Sequence, residues 1–432
     1  MNRIVVFLLA GTLLGLGCGA SDTASAEATP SVETEIASQE ARPINLAYAT
    51  DLAHELLITD GHVDLPYRMQ MKHFRLTKEY LDVSQRTPDG DFDYVRAKEG
   101  GLDAPFMSIY VPADRQKRPG AAKATADSLI SMVAAMVERH PDKFAIATSP
   151  DEVEAIVAEG KLALPLGMEN GAPIEDDLNN VAYFHQRGIR YITLTHSKVN
   201  LICDSSYDKE RKWNGLSPFG EEVVKEMNRV GIMVDISHVS DSAFYDVMAL
   251  TTAPAIASHS SARKFTPDFE RNMNDDMIKA LAKNGGVIQI NFGTSFLDSD
   301  AKDRLNTMKD ELRTWAKANN AQPGDSAYNA YKAQYQEENG LAYAHVSTVA
   351  DHIDHVVGLV GVKHVGFGSD FDGVGDSLPE GLKDVSQYPN LILELLNRGY
   401  SEEDIEMICY GNVARVWRQV EQVAQQMQAQ AG

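Results

Sequence analysis

The chain has 432 residues, 44% of them hydrophobic, and a formal charge of −22 with a pI near 4.9. That length suits one large globular domain or two modest ones, and a polyanionic surface argues against binding to nucleic-acid backbone or to anionic lipid head groups. The charge carries no argument for a cationic substrate.

The first 17 residues read as a signal peptide. Arg3 supplies a minimal positive region, and residues 4–17 form an apolar run too short to span a bilayer as a mature helix. Two exits are open. Gly15-Leu16-Gly17-Cys18 resembles a lipobox, with Cys18 as a lipidated N-terminus, although Gly15 stands where that motif usually has Leu. Ala24-Ser25-Ala26 is an ordinary cleavage site. The lipoprotein reading is favoured because a lone Cys closing the apolar run is otherwise unexplained. Either route exports the protein, so the expected location is periplasmic or lipid-anchored to the cell envelope. Residues 18–45, rich in Ala, Ser, Thr and Glu, read as a low-complexity tether.

Residues 46–425 are expected to form one domain. Its two cysteines, Cys203 and Cys409, make neither a disulfide framework nor a zinc knuckle, and read as buried or free thiols. A helix over 47–55 leads into a first strand that ends in His62-Val63-Asp64. Period two puts His62 and Asp64 on one side of that strand. The polar stretch 74–103 is a rim loop, 104–111 the second strand, and 121–139 a helix. The run 162–169 is a third strand ending on Glu169, and 190–196 a fourth ending on His196. Strands over 233–238 and 255–259 end on His238 and His259, with helices over 217–229 and 240–250 around them and Ser240 as a cap. A helix over 274–283 and a strand over 286–292 follow. Residues 298–345 read as an inserted helical hairpin broken near 321–325, and 346–358 as a helix. The eighth strand, 364–370, ends on Asp370, and helices close the chain.

Eight short apolar strands, each followed by a helix or a rim excursion, predict an α/β fold: a (β/α)8 TIM barrel with a helical insertion. The alternative, a doubly wound sheet, lacks a Gly-rich phosphate loop after the first strand. In a barrel the C-terminal strand ends share one mouth, so His62, Asp64, Glu169, His196, His238, His259 and Asp370 would meet there. Each alone is an ordinary polar residue or cap; their coincidence is the signal. Imidazole and carboxylate without thiolate suit zinc or another divalent ion, and a set of this size exceeds one tetrahedral site, which favours two ions sharing a carboxylate.

These residues lie in runs that resemble the renal (membrane) dipeptidase family, peptidase family M19: Asp60-Gly61-His62-Val63-Asp64, Gly167-Met168-Glu169-Asn170-Gly171, Thr195-His196, Asp235-Ile236-Ser237-His238, Ser258-His259 and Gly368-Ser369-Asp370. The closing Gly411-Asn412-Val413-Ala414-Arg415 is similar to that family's C-terminal signature. The resemblance implies an amidohydrolase-type barrel and a binuclear zinc dipeptidase, with two Zn2+ per chain, acting on small dipeptides through a metal-bridging hydroxide. C-terminal D-residues fall within the implied substrates. It implies that His62 and Asp64 bind one zinc, His238 and His259 the other, and that Glu169 bridges. It assigns His196 to the substrate and the tetrahedral intermediate, Arg271 to the substrate carboxylate, and Asp370 to proton transfer. Family members often form dimers, which makes a homodimer the suggested assembly.

Three positions depart from the family pattern. Val63 replaces a common Asn, the second strand lacks Gln-Phe-Trp, and the helical insertion is longer than in the mammalian enzymes. Two competing functions follow: another binuclear amidohydrolase acting on N-acyl amino acids or cyclic amides, and a non-catalytic binding protein. Intact His62, Asp64, Glu169, His238, His259 and Asp370 argue against the second.

Overall fold

The apolar runs form strands because β-branched residues fill a pleated, two-sided buried surface, and the amphipathic stretches between them form helices that cover it. The computed structural model describes residues 43–75 and 78–431. The signal-peptide and tether segments, with Cys18, lie outside the described residues. In chain order the strands are β1 (Ile58–Val63), β2 (Leu102–Tyr110), β3 (Phe144–Ile146), β4 (Leu162–Leu164), β5 (Leu166–Glu169), β6 (Ile189–Thr193), β7 (Met233–Asp235), β8 (Ile256–Ser260), β9 (Val287–Ile290) and β10 (Val365–Phe367). Eight of them form one parallel sheet in the order β1-β2-β5-β6-β7-β8-β9-β10.

The sheet curls into the expected (β/α)8 barrel. Its last seam, between β10 and β1, is not a regular ladder. It is made by a parallel bridge between Val63 and Phe371, by Asp64 N donating to Phe371 O at 2.8 Å, and by Asp370 N donating to His62 O at 3.1 Å. Below these, the Asp60 carboxylate accepts from His62 N at 2.9 Å and from Ser369 N at 3.0 Å through Oδ1, and from the Tyr388 hydroxyl through Oδ2. Every residue of β1 is buried, Val63 included, so the departure from Asn at 63 falls in the hydrophobic core.

Strand boundaries depart from the sequence reading in two ways. The run 162–169 is two strands. Pro165 has no N–H to give a ladder, so the chain breaks there. The first half, β4, pairs with β3 in a separate two-stranded sheet, and only β5 enters the barrel. Two strands also stop short of their histidines. β6 ends at Thr193 and β7 at Asp235, so His196 and His238 sit on the loops above them. His238 takes φ +69° and Asp370 φ +64°, left-handed conformations that turn each side chain in a way a strand tip does not.

The helices begin where the sequence places caps. Ser217, Ser240 and Asn274 each accept from a backbone N–H three residues on. The insertion is a hairpin of helices Ser299–Asn319 and Ser326–Asn339. It has its own small core of Leu305, Met308, Leu312, Ala342 and Tyr343, with Trp315 stacked on Tyr331. Asp376 ties the hairpin to the rim, accepting from Lys332 Nζ at 2.6 Å and from the Tyr343 hydroxyl at 2.7 Å. The closing helix, Asn412–Ala431, runs past the expected end at 425, although its last buried residue is Ala424. No helix among the described residues is long and apolar enough to cross a membrane.

Between β5 and β6 a small residue faces a large one, Gly167 beside Tyr191. A Cβ at Gly167 would lie 1.9 Å from the Tyr191 ring, which is wholly buried. Gly167→Ala is therefore expected to displace Tyr191 and cost about 1–3 kcal/mol, the usual range for overpacking. A thermal melt should show a lowered Tm; an unchanged one would mean the ring relaxes freely.

Candidate metal centre

His62 stands at the end of β1 and Glu169 at the end of β5. His259 lies in β8, and the other expected residues lie on the loops directly above the barrel. The fold brings them into three overlapping clusters: His62 with Glu169 and His259, Glu169 with His196 and His238, and His62 with Asp64 and Asp370. Within each cluster the ligand atoms lie within 4.8 Å of one another.

Glu169 is at the centre. Its Oε1 lies 3.0 Å from His238 Nε2, 3.3 Å from His259 Nε2 and 3.6 Å from His196 Nε2, while its Oε2 lies 3.5 Å from His62 Nε2. The two oxygens thus face two different sets of donors. Burial opposes the charge on Glu169. The His196 and His62 imidazoles, with hydrogen bonds from His238 and His259, outweigh it and hold the carboxyl well below the usual range. Burial, reinforced by neighbouring cationic groups including Arg271, holds His238 and His259 well below the usual histidine value. Neutral imidazole is the form that binds a metal. At His62 burial again opposes charge, but Tyr191, Glu169 and Asp64 win and raise its pKa well above normal. That is a field that draws positive charge.

The donor set fits a divalent metal pair. His62 Nε2 and Asp64 Oδ1 are buried with no hydrogen-bond partner among the described residues, a costly state for polar atoms unless something else satisfies them. His238 Nε2 and His259 Nε2 face each other at 2.9 Å and converge on the same carboxylate oxygen. The far side of two rings is already fixed. His62 Nδ1 meets the Tyr191 hydroxyl at 2.8 Å, and His259 Nδ1 meets Ser258 Oγ at 2.8 Å. Such outer contacts orient a ligand ring and leave its Nε2 for the ion.

Sequence reasoning missed these supporting residues. Asp235 accepts from Thr193 Oγ1 at 2.5 Å, Ser258 Oγ at 2.6 Å and Ser258 N at 2.8 Å, and so carries the His259 orientation back into the barrel. Asn291 Nδ2 donates to Asp370 Oδ2 at 2.8 Å. One signal was available. Asp60 and Asp235 each accept from the N–H two residues on, a turn that an Asp at a strand end favours.

Above the cluster lies a cavity of about 810 Å3. Asp64, Glu169, His196, His238 and Asp370 form its polar floor, and Tyr67, Tyr110, Tyr207 and Phe296 its aromatic walls. Tyr110, from the divergent second strand, packs against His196 with ring centroids 4.7 Å apart. Burial pushes the Asp370 carboxyl up to about 8; His62 opposes that rise and the Asp64 and Glu169 charges add to it.

Arg271 is the residue that the sequence most readily leaves on the surface, and it is 3% exposed. Its Nη1 donates to Ser260 Oγ at 2.6 Å and its Nη2 to His259 O at 2.7 Å, while Phe296 covers its guanidinium at 5.3 Å. Two of its five N–H donors are used in this way. Among the described residues no carboxylate lies within ion-pair distance of it. A buried cation without a counter-charge is costly, and an anionic ligand would relieve that cost.

Residues 46–431 match the family model described as membrane dipeptidase (peptidase family M19). Dipeptidase verJ of Clonostachys rogersoniana is 33% identical over 391 residues, covering 89% of each chain. Dipeptidase 3 of Mus musculus is 31% identical over 388 residues, 89% of this chain and 68% of that one. Among solved structures, the probable dipeptidase PvdM from Pseudomonas aeruginosa superposes with a TM-score of 0.73 at 28% identity, over 88% of this chain and 99% of that one.

Proposed function

The chain belongs to the membrane dipeptidase family, peptidase family M19, and on that premise we propose that it is a zinc-dependent dipeptidase whose substrates include dipeptides with a C-terminal D-residue. The observation that carries the metal assignment is the division of Glu169: one oxygen faces His238 and His259, the other faces His62. His62 and Asp64 would hold one ion, His238 and His259 a second, and Glu169 would bridge them. A metal pair bound there would polarise the scissile carbonyl and lower the pKa of the water that attacks it.

The chain's own residues do the rest. Arg271 keeps three N–H donors in reserve, and these receive the α-carboxylate of the dipeptide, setting the distance from that end to the scissile bond. His196, whose side chain reaches the cavity from the loop above β6, donates to the carbonyl oxygen as negative charge builds on it. Asn291 holds Asp370 by Oδ2, leaving Oδ1 to take a proton from the attacking water and return it to the leaving amine. The aromatic walls exclude bulk water from the reacting atoms.

The test is hydrolysis of a panel of L-L and L-D dipeptides, with N-acetylated counterparts beside them. Chelation is expected to abolish cleavage of the free dipeptides and added zinc to restore it, with the acetylated forms inert. Cleavage of the acylated compounds alone would move the assignment to an amidohydrolase acting on N-acyl amino acids. Activity unaffected by complete metal removal would overturn the metal reading.

A further inference from the structure

The cavity is lined by two cations: Arg68, which pairs with Asp372, and Lys309, supplied by the insertion. Lys309 lines the same cavity as Glu169, His196 and Asp370. It lies on the helix Ser299–Asn319, one turn from Leu305 and from Leu312, which with Met308 seat that flank of the helix in the hairpin core. Lys302, nearer the start of that helix, packs its ammonium over the Phe269 ring at 4.5 Å, which anchors the helix to the rim. Two cations of the hairpin are neutralised, Arg313 by Asp310 and Lys332 by Asp376, while Arg304 and Lys317 are exposed and do not line the cavity. Among the described residues Lys309 makes no hydrogen bond or ion pair, and it is only partly exposed. Lys309 thus lines the cavity from the hairpin helix without an ion-pair partner among the described residues.

We propose that Lys309 is a specificity-determining residue that pairs with a side-chain carboxylate of the substrate, so that acidic dipeptides are preferred over their neutral isosteres. The inference rests on the dipeptidase reading. Every dipeptide brings one α-carboxylate, and the buried Arg271 accounts for it. A second unpaired cation, on the half-exposed outer wall, matches a second anionic group, which only Asp- or Glu-containing dipeptides carry. A solvated surface lysine is the ordinary alternative, but such a residue would not line the catalytic cavity on an anchored helix.

The experiment compares alanyl-glutamate with alanyl-glutamine, and glutamyl-alanine with glutaminyl-alanine, using the full zinc-loaded protein. The readout is the ratio of kcat/KM within each pair. Lys309→Gln is expected to lower that ratio roughly tenfold in at least one pair, the scale of one charge-assisted contact at a partly wet wall. Lys309→Glu should lower it further, Lys309→Arg should keep it, and added salt should erode it in the wild type. An unchanged ratio in both pairs overturns the assignment. So does an equal loss on acidic and neutral dipeptides, since that would place Lys309 on the α-carboxylate. A wild type inert toward all four compounds overturns the dipeptidase reading itself, and this assignment with it.

Discussion

Glu169→Gln is expected to lower kcat/KM by about 10³-fold or more and to cost the protein at least one of the two metal ions proposed for it. The reason lies in how the carboxylate is divided. Oε1 faces His238 and His259, and Oε2 faces His62. An amide has one acceptor oxygen and one NH2, so whichever way it turns, one set of ligands meets a donor instead of an acceptor. The substitution also removes the one carboxylate shared, among the described residues, by the cluster of His62 and His259 and the cluster of His196 and His238. Because Gln is close to isosteric with Glu, the barrel should fold and melt cooperatively. Metal content by elemental analysis, read alongside activity, is the discriminating measurement. A variant that keeps two ions per chain and works within tenfold of the wild type would remove Glu169 from the bridge.

Asp370→Asn should behave differently: kcat falls by about 10²–10⁴-fold, the usual contribution of a positioned acid–base group, while metal content stays at the wild-type level. The backbone favours this variant as a clean test. Asp370 sits at φ +64°, and Asn is among the few residues that accept that conformation readily. The amide oxygen of Asn can still accept from Asn291 Nδ2, so the side chain stays in place while its ability to take a proton is lost. A loss confined to KM would make Asp370 a substrate contact. A lost metal ion would make it a ligand, which its closeness to His62 and Asp64 makes worth measuring.

The barrel and its metal-type residues could be read from the sequence because the two signals coincide. Each of these side chains sits at or just beyond a short β-branched run, and a parallel barrel brings all such ends to one place. What could not be read is whatever depends on a partner far away in the chain. Tyr191 is an ordinary strand residue until its hydroxyl meets His62, and Asn291 an ordinary loop residue until it meets Asp370. The break at Pro165 was visible as a proline, but an unbroken apolar run on both sides hid it. His196 and His238 were placed on strand tips, since no periodicity marks where a strand stops and a left-handed turn begins. Arg271 and Lys309 are each indistinguishable in sequence from solvated side chains. Only the packing of Phe296 over one and the docking of a helical hairpin beneath the other set them apart.

The irregular seam between β10 and β1 has a consequence for when the protein can begin to work. One pair of proposed ligands stands on the first strand and at its end, the proton carrier follows the last strand, and the Asp60 carboxylate joins the two across more than three hundred residues. A growing chain that has not yet produced Ser369, Asp370 and Phe371 has neither the seam nor the complete site. Shorter nascent species therefore cannot assemble the reactive centre in advance, however well their early strands pair. Closure of the ring and completion of the proposed site therefore come together, once the chain extends through Phe371.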